Sequence, residues 1–65
     1  MKIRINGQEK VLTQPQNLQS LIKEYSKNTR VIAEINGDIV KNETWEQTLI
    51  KDGDTIELVA FVGGG

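Results

Sequence analysis

The chain ends in three consecutive glycines, Gly63, Gly64 and Gly65, and the terminal carboxyl group is the most distinctive chemical group in the sequence. Glycine loses more backbone entropy on ordering than any other residue and has no side chain to bury, so we expect a mobile tail. Without Cβ atoms, the tail is also slender enough to enter a narrow channel. Fully extended, residues 62–65 would reach about 14 Å, at roughly 3.3–3.6 Å per residue. That reach would carry the carboxyl group of Gly65 into the active site of another protein.

The carboxyl group needs activation before it can act as an acyl donor, because it is ionised at neutral pH and resists nucleophiles. Conversion to an acyl adenylate by an ATP-using partner would activate it. The sequence contains no G-x-x-x-x-G-K-[ST] loop for binding phosphate, and no helix follows the glycines. We therefore expect no cofactor bound to this chain and ATP to be used by the activating partner. The alternative is a frayed terminus without a chemical role.

The composition restricts the other possible chemistry. The 65 residues include no Cys and no His, and eight basic and nine acidic side chains leave a net charge of −1. Disulfides, thiol nucleophiles and thiolate metal sites are therefore excluded, and the side chain best suited to proton transfer near neutral pH is missing. The charge balance argues against nucleic acid binding, and no apolar run approaches the roughly 20 residues of a membrane span. We expect a cytoplasmic domain that is not an enzyme and holds no metal.

Alternating polar and apolar residues predict five extended segments, at residues 2–6, 8–12, 31–35, 39–40 and 55–62. Asn-Gly pairs at residues 6–7 and 36–37 predict tight hairpin turns, because such turns need positive φ. Asn17 is a good N-cap for a short helix, whose apolar face comprises Leu18, Leu21, Ile22 and Tyr25. Residues 42–48 are polar and irregular around Trp45, with room for one helical turn.

The order of these elements predicts an α+β fold, because a single helix with one apolar face can be buried by one face of a sheet. We expect a single-domain β-grasp (ubiquitin-like) fold with a mixed sheet of four or five strands over residues 1–62, and a flexible tail over residues 63–65. The predicted core consists of Ile3, Ile5, Leu18, Leu21, Ile22, Val31, Ala33, Ile35, Ile56, Leu58 and Ala60.

The predicted last strand also carries apolar residues on the face that points away from the helix. Val59 and Phe61, together with Ile32 of a neighbouring strand, form a contiguous apolar group there, which usually marks a contact surface. These three residues are therefore candidates for docking a partner. Alternatively, they bend over an edge of the sheet and are partly covered by Trp45 or a loop. The charged residues expected on the same face, paired across strands, are Lys2, Arg4, Glu34 and Glu57.

Several motifs occur in a characteristic order along the whole chain. They are Ile3-Arg4-Ile5-Asn6-Gly7, the stripe Leu18/Leu21/Ile22, Asn36-Gly37-Asp38-Ile39-Val40, Trp45, Asp52-Gly53-Asp54-Thr55-Ile56 and Phe61-Val62-Gly63-Gly64-Gly65. In this order and at this length, the chain resembles the ThiS-type sulfur carrier proteins of thiamine biosynthesis.

The resemblance implies a mechanism. In such families an E1-like, ThiF-type adenylyltransferase adenylates the terminal glycine, which is Gly65 here. Sulfur drawn from cysteine through a cysteine desulfurase then replaces one oxygen and gives a thiocarboxylate. The loaded tail docks into a ThiG-type thiazole synthase, which takes the sulfur into the thiazole ring. The resemblance thus implies that Gly64 and Gly65 are the functional pair and that Gly65 is the acyl site.

Three other functions remain open at this point. The small subunit of molybdopterin synthase has a similar fold and tail, but those proteins tend to be longer, with an extended segment before the helix. A ubiquitin-like modifier would end in the same way and form an isopeptide bond to lysine. A β-grasp interaction domain would use its sheet or helix face and have a passive tail.

Overall fold

A five-stranded sheet and one α-helix form the part of the chain that the computed structural model describes, residues 1–26 and 30–61. The elements are β1 (Lys2–Ile5), β2 (Gln8–Val11), α1 (Leu18–Tyr25), β3 (Val31–Ile35), β4 (Asp38–Val40), a 3-10 helix (Asn42–Gln47) and β5 (Thr55–Ala60). The strand order is β2-β1-β5-β3-β4. β5 runs parallel to β1, and the other neighbouring strands are antiparallel. This mixed sheet with its single helix confirms the predicted β-grasp fold.

The two Asn-Gly pairs form the hairpin turns that the sequence predicts. Asn6 and Asn36 have φ values of 49° and 53°, and the glycines that follow them have φ values of 82° and 90°. Positive φ at both central residues matches the twist of the adjoining strands, and Asn and Gly adopt it at little cost. The turns fix the registers of β1 with β2 and of β3 with β4.

The helix begins where its pattern predicts. The side chain of Asn17 caps it by accepting a hydrogen bond from the backbone N–H of Ser20 at 2.8 Å. Leu18, Leu21 and Ile22 are buried against the sheet. Tyr25, also predicted on this apolar face, is 47% exposed, because it is the last residue of the helix and its hydroxyl accepts a hydrogen bond from Asn6. No helix of the described residues combines the length and apolar composition needed to cross a bilayer.

The core differs from the predicted one at a few positions. Ile5, Ile35 and Ala60 are only partly buried, because each is the last residue of its strand and an eight-residue helix covers only about 12 Å of the sheet. Three further residues that the prediction omitted complete the core, and they are Leu12, Trp45 and Ile50. The Nε1–H of Trp45 donates to the carbonyl of Val40 at 2.9 Å, which satisfies its buried polar atom.

The last strand is shorter than predicted. β5 ends at Ala60, although the N–H of Phe61 still donates to the carbonyl of Arg30 at 2.9 Å. Val62 and the predicted boundary between domain and tail lie outside the described residues, and so do Gly63, Gly64 and Gly65. The boundary and the tail therefore stay predictions.

Candidate functional site

The candidate site begins at β5, the central strand of the sheet, because this strand leads directly into the terminal glycines. Ile56 and Leu58 project from β5 into the core and are almost completely buried. Paired with β1 on one side and β3 on the other, β5 is held by both of its neighbours. The base of the tail is therefore fixed to the most constrained element of the fold.

The side chain of Asn6 fixes β5 close to its end. Its Oδ1 accepts a hydrogen bond from the N–H of Leu58 at 2.8 Å, and its Nδ2 donates to the carbonyl of Leu58 at 3.1 Å. The same Nδ2 also donates to the hydroxyl of Tyr25 at 2.7 Å. The amide thus joins the first hairpin, the helix and β5. Sequence reasoning assigned Asn6 to a turn and missed this contact, because no local pattern reveals a partner 52 residues away.

Asn36, in the second hairpin turn, fixes the other end of β5. Its Oδ1 accepts from the N–H of Thr55 at 3.0 Å, and its Nδ2 donates to the buried carboxylate of Asp54 at 3.0 Å. The same carboxylate accepts from the N–H of Lys51 at 2.8 Å. Both Asn-Gly turns therefore hold the strand that precedes the tail.

The three candidate docking residues lie together on the face of the sheet away from the helix. Ile32 and Val59 are direct partners across β3 and β5, and Phe61 lies two residues further along the same face. Their exposed fractions are 39%, 54% and 46%, respectively. Trp45 is buried in the core and bonds to β4, so it does not cover them. We call Ile32, Val59 and Phe61 the outer patch; its role in docking stays a prediction.

The charges beside the outer patch follow the prediction only in part. Glu34 and Glu57 lie directly opposite each other across β3 and β5, so the expected pairing of opposite charges is wrong for these two. The predicted pairing across strands is confirmed for Lys2, which pairs with Glu9 of β2 at 3.9 Å. Arg4 instead donates to a carbonyl of the first hairpin turn at 3.1 Å. Two like charges opposite each other repel, so they favour a cationic group on any partner that covers this face.

No group of three or more His, Cys, Asp or Glu side chains in residues 1–26 and 30–61 is placed to hold a metal ion. The site that the structure does describe consists of a fixed central strand, the outer patch and the adjoining pair of glutamates.

Comparison with known proteins identifies a family. The model of the ThiS family matches residues 3–65. The sulfur carrier protein ThiS of Bacillus subtilis is 35% identical, over 97% of this chain and 98% of that protein. The crystal structure of the thiamine biosynthesis protein ThiS from Geobacter metallireducens has a TM-score of 0.82 and 29% identity, and the match covers 100% of both chains.

One relative is a much larger protein. A thiazole synthase from Paramagnetospirillum magneticum is 38% identical over 100% of this chain, but the chain spans only 20% of the length of that protein. The similarity therefore concerns one segment of that enzyme. Since the family model, a relative of the same length and the fold all agree, this chain belongs to the ThiS family, the sulfur carrier proteins of thiamine biosynthesis.

Proposed function

We propose that this protein carries sulfur as a thiocarboxylate on Gly65 and donates it for thiazole formation. The observation that carries the proposal is the match to the ThiS family, which extends through the three terminal glycines. The structure supports it because those glycines follow the central strand, which Asn6 and Asn36 hold at both ends. A rigid base and a slender end suit a segment that must enter the active site of another protein.

The chemistry requires a partner at each step. A ThiF-type adenylyltransferase joins a carboxylate oxygen of Gly65 to the α-phosphorus of ATP, and pyrophosphate leaves. A cysteine desulfurase releases the sulfur of cysteine as a persulfide, and a thiol reductant supplies the two electrons that bring this sulfur to the level of sulfide. The sulfide-level sulfur then displaces AMP. The net change is the replacement of one oxygen by one sulfur. The acyl adenylate is a mixed anhydride with AMP as its leaving group, and it makes the substitution possible because a free carboxylate resists nucleophiles.

A ThiG-type thiazole synthase is the acceptor that we propose for the sulfur. Its support comes from the relative in Paramagnetospirillum magneticum, a thiazole synthase that contains a segment similar to the whole of this chain. The outer patch is the surface that we propose for docking the partners. It is apolar and contiguous, and it includes Phe61, the last described residue before the tail.

Intact-mass measurement tests the proposed function. We expect incubation with a ThiF-type enzyme, ATP, a cysteine desulfurase, cysteine and a thiol reductant to raise the mass of the chain by the difference between sulfur and oxygen. The same mixture without ATP should leave the mass unchanged. A chain that remains unmodified with every component present would contradict the proposal.

Replacing Phe61 with Asp tests the outer patch. Because the side chain is 46% exposed, we expect Phe61→Asp to change the free energy of unfolding by less than about 1 kcal/mol. If a partner buries this ring, its affinity should fall by about 10- to 100-fold, which corresponds to ~1.4–2.8 kcal/mol. The measurements are the Kd for the ThiF-type enzyme and the thermal unfolding of the free variant.

Leu49→Asp is the matched control for Phe61→Asp. Leu49 is 64% exposed and lies outside the strands of the sheet, so the substitution adds the same charge to an apolar position away from the outer patch. We expect it to leave the affinity within about twofold of the parent, as for surface changes away from an interface. Equal losses in both variants would argue against docking at the patch, and unfolding of Phe61→Asp would assign Phe61 to the core.

A further inference from the structure

The two sides of β5 have different hydrogen-bond partners. On the side facing β3, hydrogen bonds extend along the whole strand. At its start the N–H of Asn36 donates to the carbonyl of Thr55 at 2.7 Å. At its end the N–H of Phe61 donates to the carbonyl of Arg30 at 2.9 Å. Because these groups alternate along a strand, the odd-numbered residues of β5 direct their N–H and C=O groups towards β3, and the even-numbered residues direct theirs towards β1.

Pairing on the β1 side stops before the end of β5. The N–H of Asn6 donates to the carbonyl of Ile56 at 2.9 Å, and the Asn6 amide then occupies both backbone groups of Leu58. The chain turns away at Gly7. The next backbone groups on this side belong to Ala60, and they have no hydrogen-bond partner among residues 1–26 and 30–61. The sheet therefore has a short open edge where β5 approaches the tail.

We propose that the open edge at Ala60 is a β-augmentation site, to which the ThiF-type enzyme that adenylates Gly65 adds an extended backbone segment as a strand. Unpaired N–H and C=O groups on a strand edge are a template for another strand. The inference rests on the proposed function, because it takes Gly65 to enter a partner's active site. Beyond that function, the inference identifies the edge of the sheet that aligns the tail with the active site of the partner.

The position of the edge favours a segment of that enzyme as the occupant. Ala60 lies five residues before Gly65, so a protein that holds the terminal carboxyl group has its active site within about 18 Å of this edge. The side chains of Val59 and Phe61 project on the outer face beside the same edge, so an added strand would continue a surface formed by the outer patch. The added strand would also keep the backbone extended as it leaves the sheet.

An ester at position 60 tests the proposal without changing a side chain. In a chemically synthesised chain, L-lactic acid in place of Ala60 removes the backbone N–H and retains the methyl group. We expect only a small fall in the unfolding temperature, because the ester also makes the carbonyl of residue 59, which faces β3, a weaker acceptor. The Kd for the ThiF-type enzyme should be raised about tenfold because one main-chain hydrogen bond to the partner is lost. The matched control is the corresponding ester at Val59. Its N–H faces β3, so that chain should unfold at a lower temperature than the parent.

Amide exchange measured by NMR provides a second, independent readout on the unmodified chain. The Ala60 amide should exchange rapidly in the free protein and slowly in the complex, whereas the Leu58 amide should exchange slowly in both. Equal affinity of the ester and parent chains, or no protection of Ala60 in the complex, would overturn the proposal. Slow exchange of the Ala60 amide in the free chain would also overturn it. So would a dimer in sedimentation whose formation protects the same amide, because the occupant would then be a second copy of this chain.

These results are distinguishable from failure of the proposed function. If the unmodified chain acquires sulfur and the ester binds equally well, the edge plays no part and the carrier function stands. If the unmodified chain acquires no sulfur in the complete mixture, the carrier function itself is wrong.

Discussion

Deleting Gly64 and Gly65 should abolish sulfur transfer while changing the free energy of unfolding by less than about 1 kcal/mol. Every buried core residue of the described part of the chain lies between Ile3 and Leu58, so the deletion removes none of them. It withdraws the terminal carboxyl group by about 7 Å, at roughly 3.3–3.6 Å per residue. An enzyme tolerates a far smaller displacement of a reacting group in its active site. The measurements are the mass change in the complete sulfur-transfer mixture and the thermal unfolding curve.

A full-length variant separates the reach of the tail from its width. Gly64→Ala combined with Gly65→Ala keeps the carboxyl group at the end of a 65-residue chain but adds two Cβ atoms. If the partner's channel fits only a bare backbone, this variant should also acquire no sulfur, and it should unfold like the parent. Transfer by the shortened chain would show that the terminal pair is not the reactive end, and a large loss of stability would show that it belongs to the fold.

The sequence predicts the fold well where one local pattern decides the structure. Alternation gives the strands, the spacing of Leu18, Leu21 and Ile22 gives the buried helix face, and Asn-Gly gives the hairpins. The spacing of apolar residues does not predict burial in segments that are neither α-helix nor strand. Trp45 lies in a 3-10 helix and Ile50 in an irregular segment. Apart from the exposed Leu49, four residues after Trp45, neither has an apolar neighbour at helical or strand spacing, and both are nevertheless buried.

The candidate site is less predictable than the fold because much of it depends on register. The outer patch follows from alternation within β3 and β5, so Ile32, Val59 and Phe61 were found on one face without knowledge of their alignment. The opposition of Glu34 and Glu57 depends on which residues face each other, and the sequence does not contain that information. The amide of Asn6 is a similar case, because its partner lies across the sheet on β5.

Replacing Asn6 with Ala should lower the free energy of unfolding by about 2–4 kcal/mol, the largest loss that we expect from a polar substitution in this domain. The change removes three hydrogen bonds, and two of them satisfy the partly buried N–H and C=O groups of Leu58. It also places Ala at a φ of 49°, where a Cβ without a polar side chain is disfavoured. For a domain of this size the Tm falls by about 4–8 °C for each kcal/mol lost, so the thermal unfolding curve measures this loss.

Asn6→Gly is the matched variant that separates the amide from the backbone. Glycine adopts the positive φ freely, so the difference between the Gly and Ala variants measures backbone strain, and the remaining loss measures the hydrogen bonds to β5. We expect the Gly variant to be less stable than the parent and to transfer sulfur more slowly at a temperature where it remains folded. In the parent chain, the amide of Asn6 holds the strand that leads into the tail. Removing its contacts therefore loosens the base of the tail. A Gly variant as stable as the parent would show that Leu58 does not need the amide, and that some other contact fixes the end of β5.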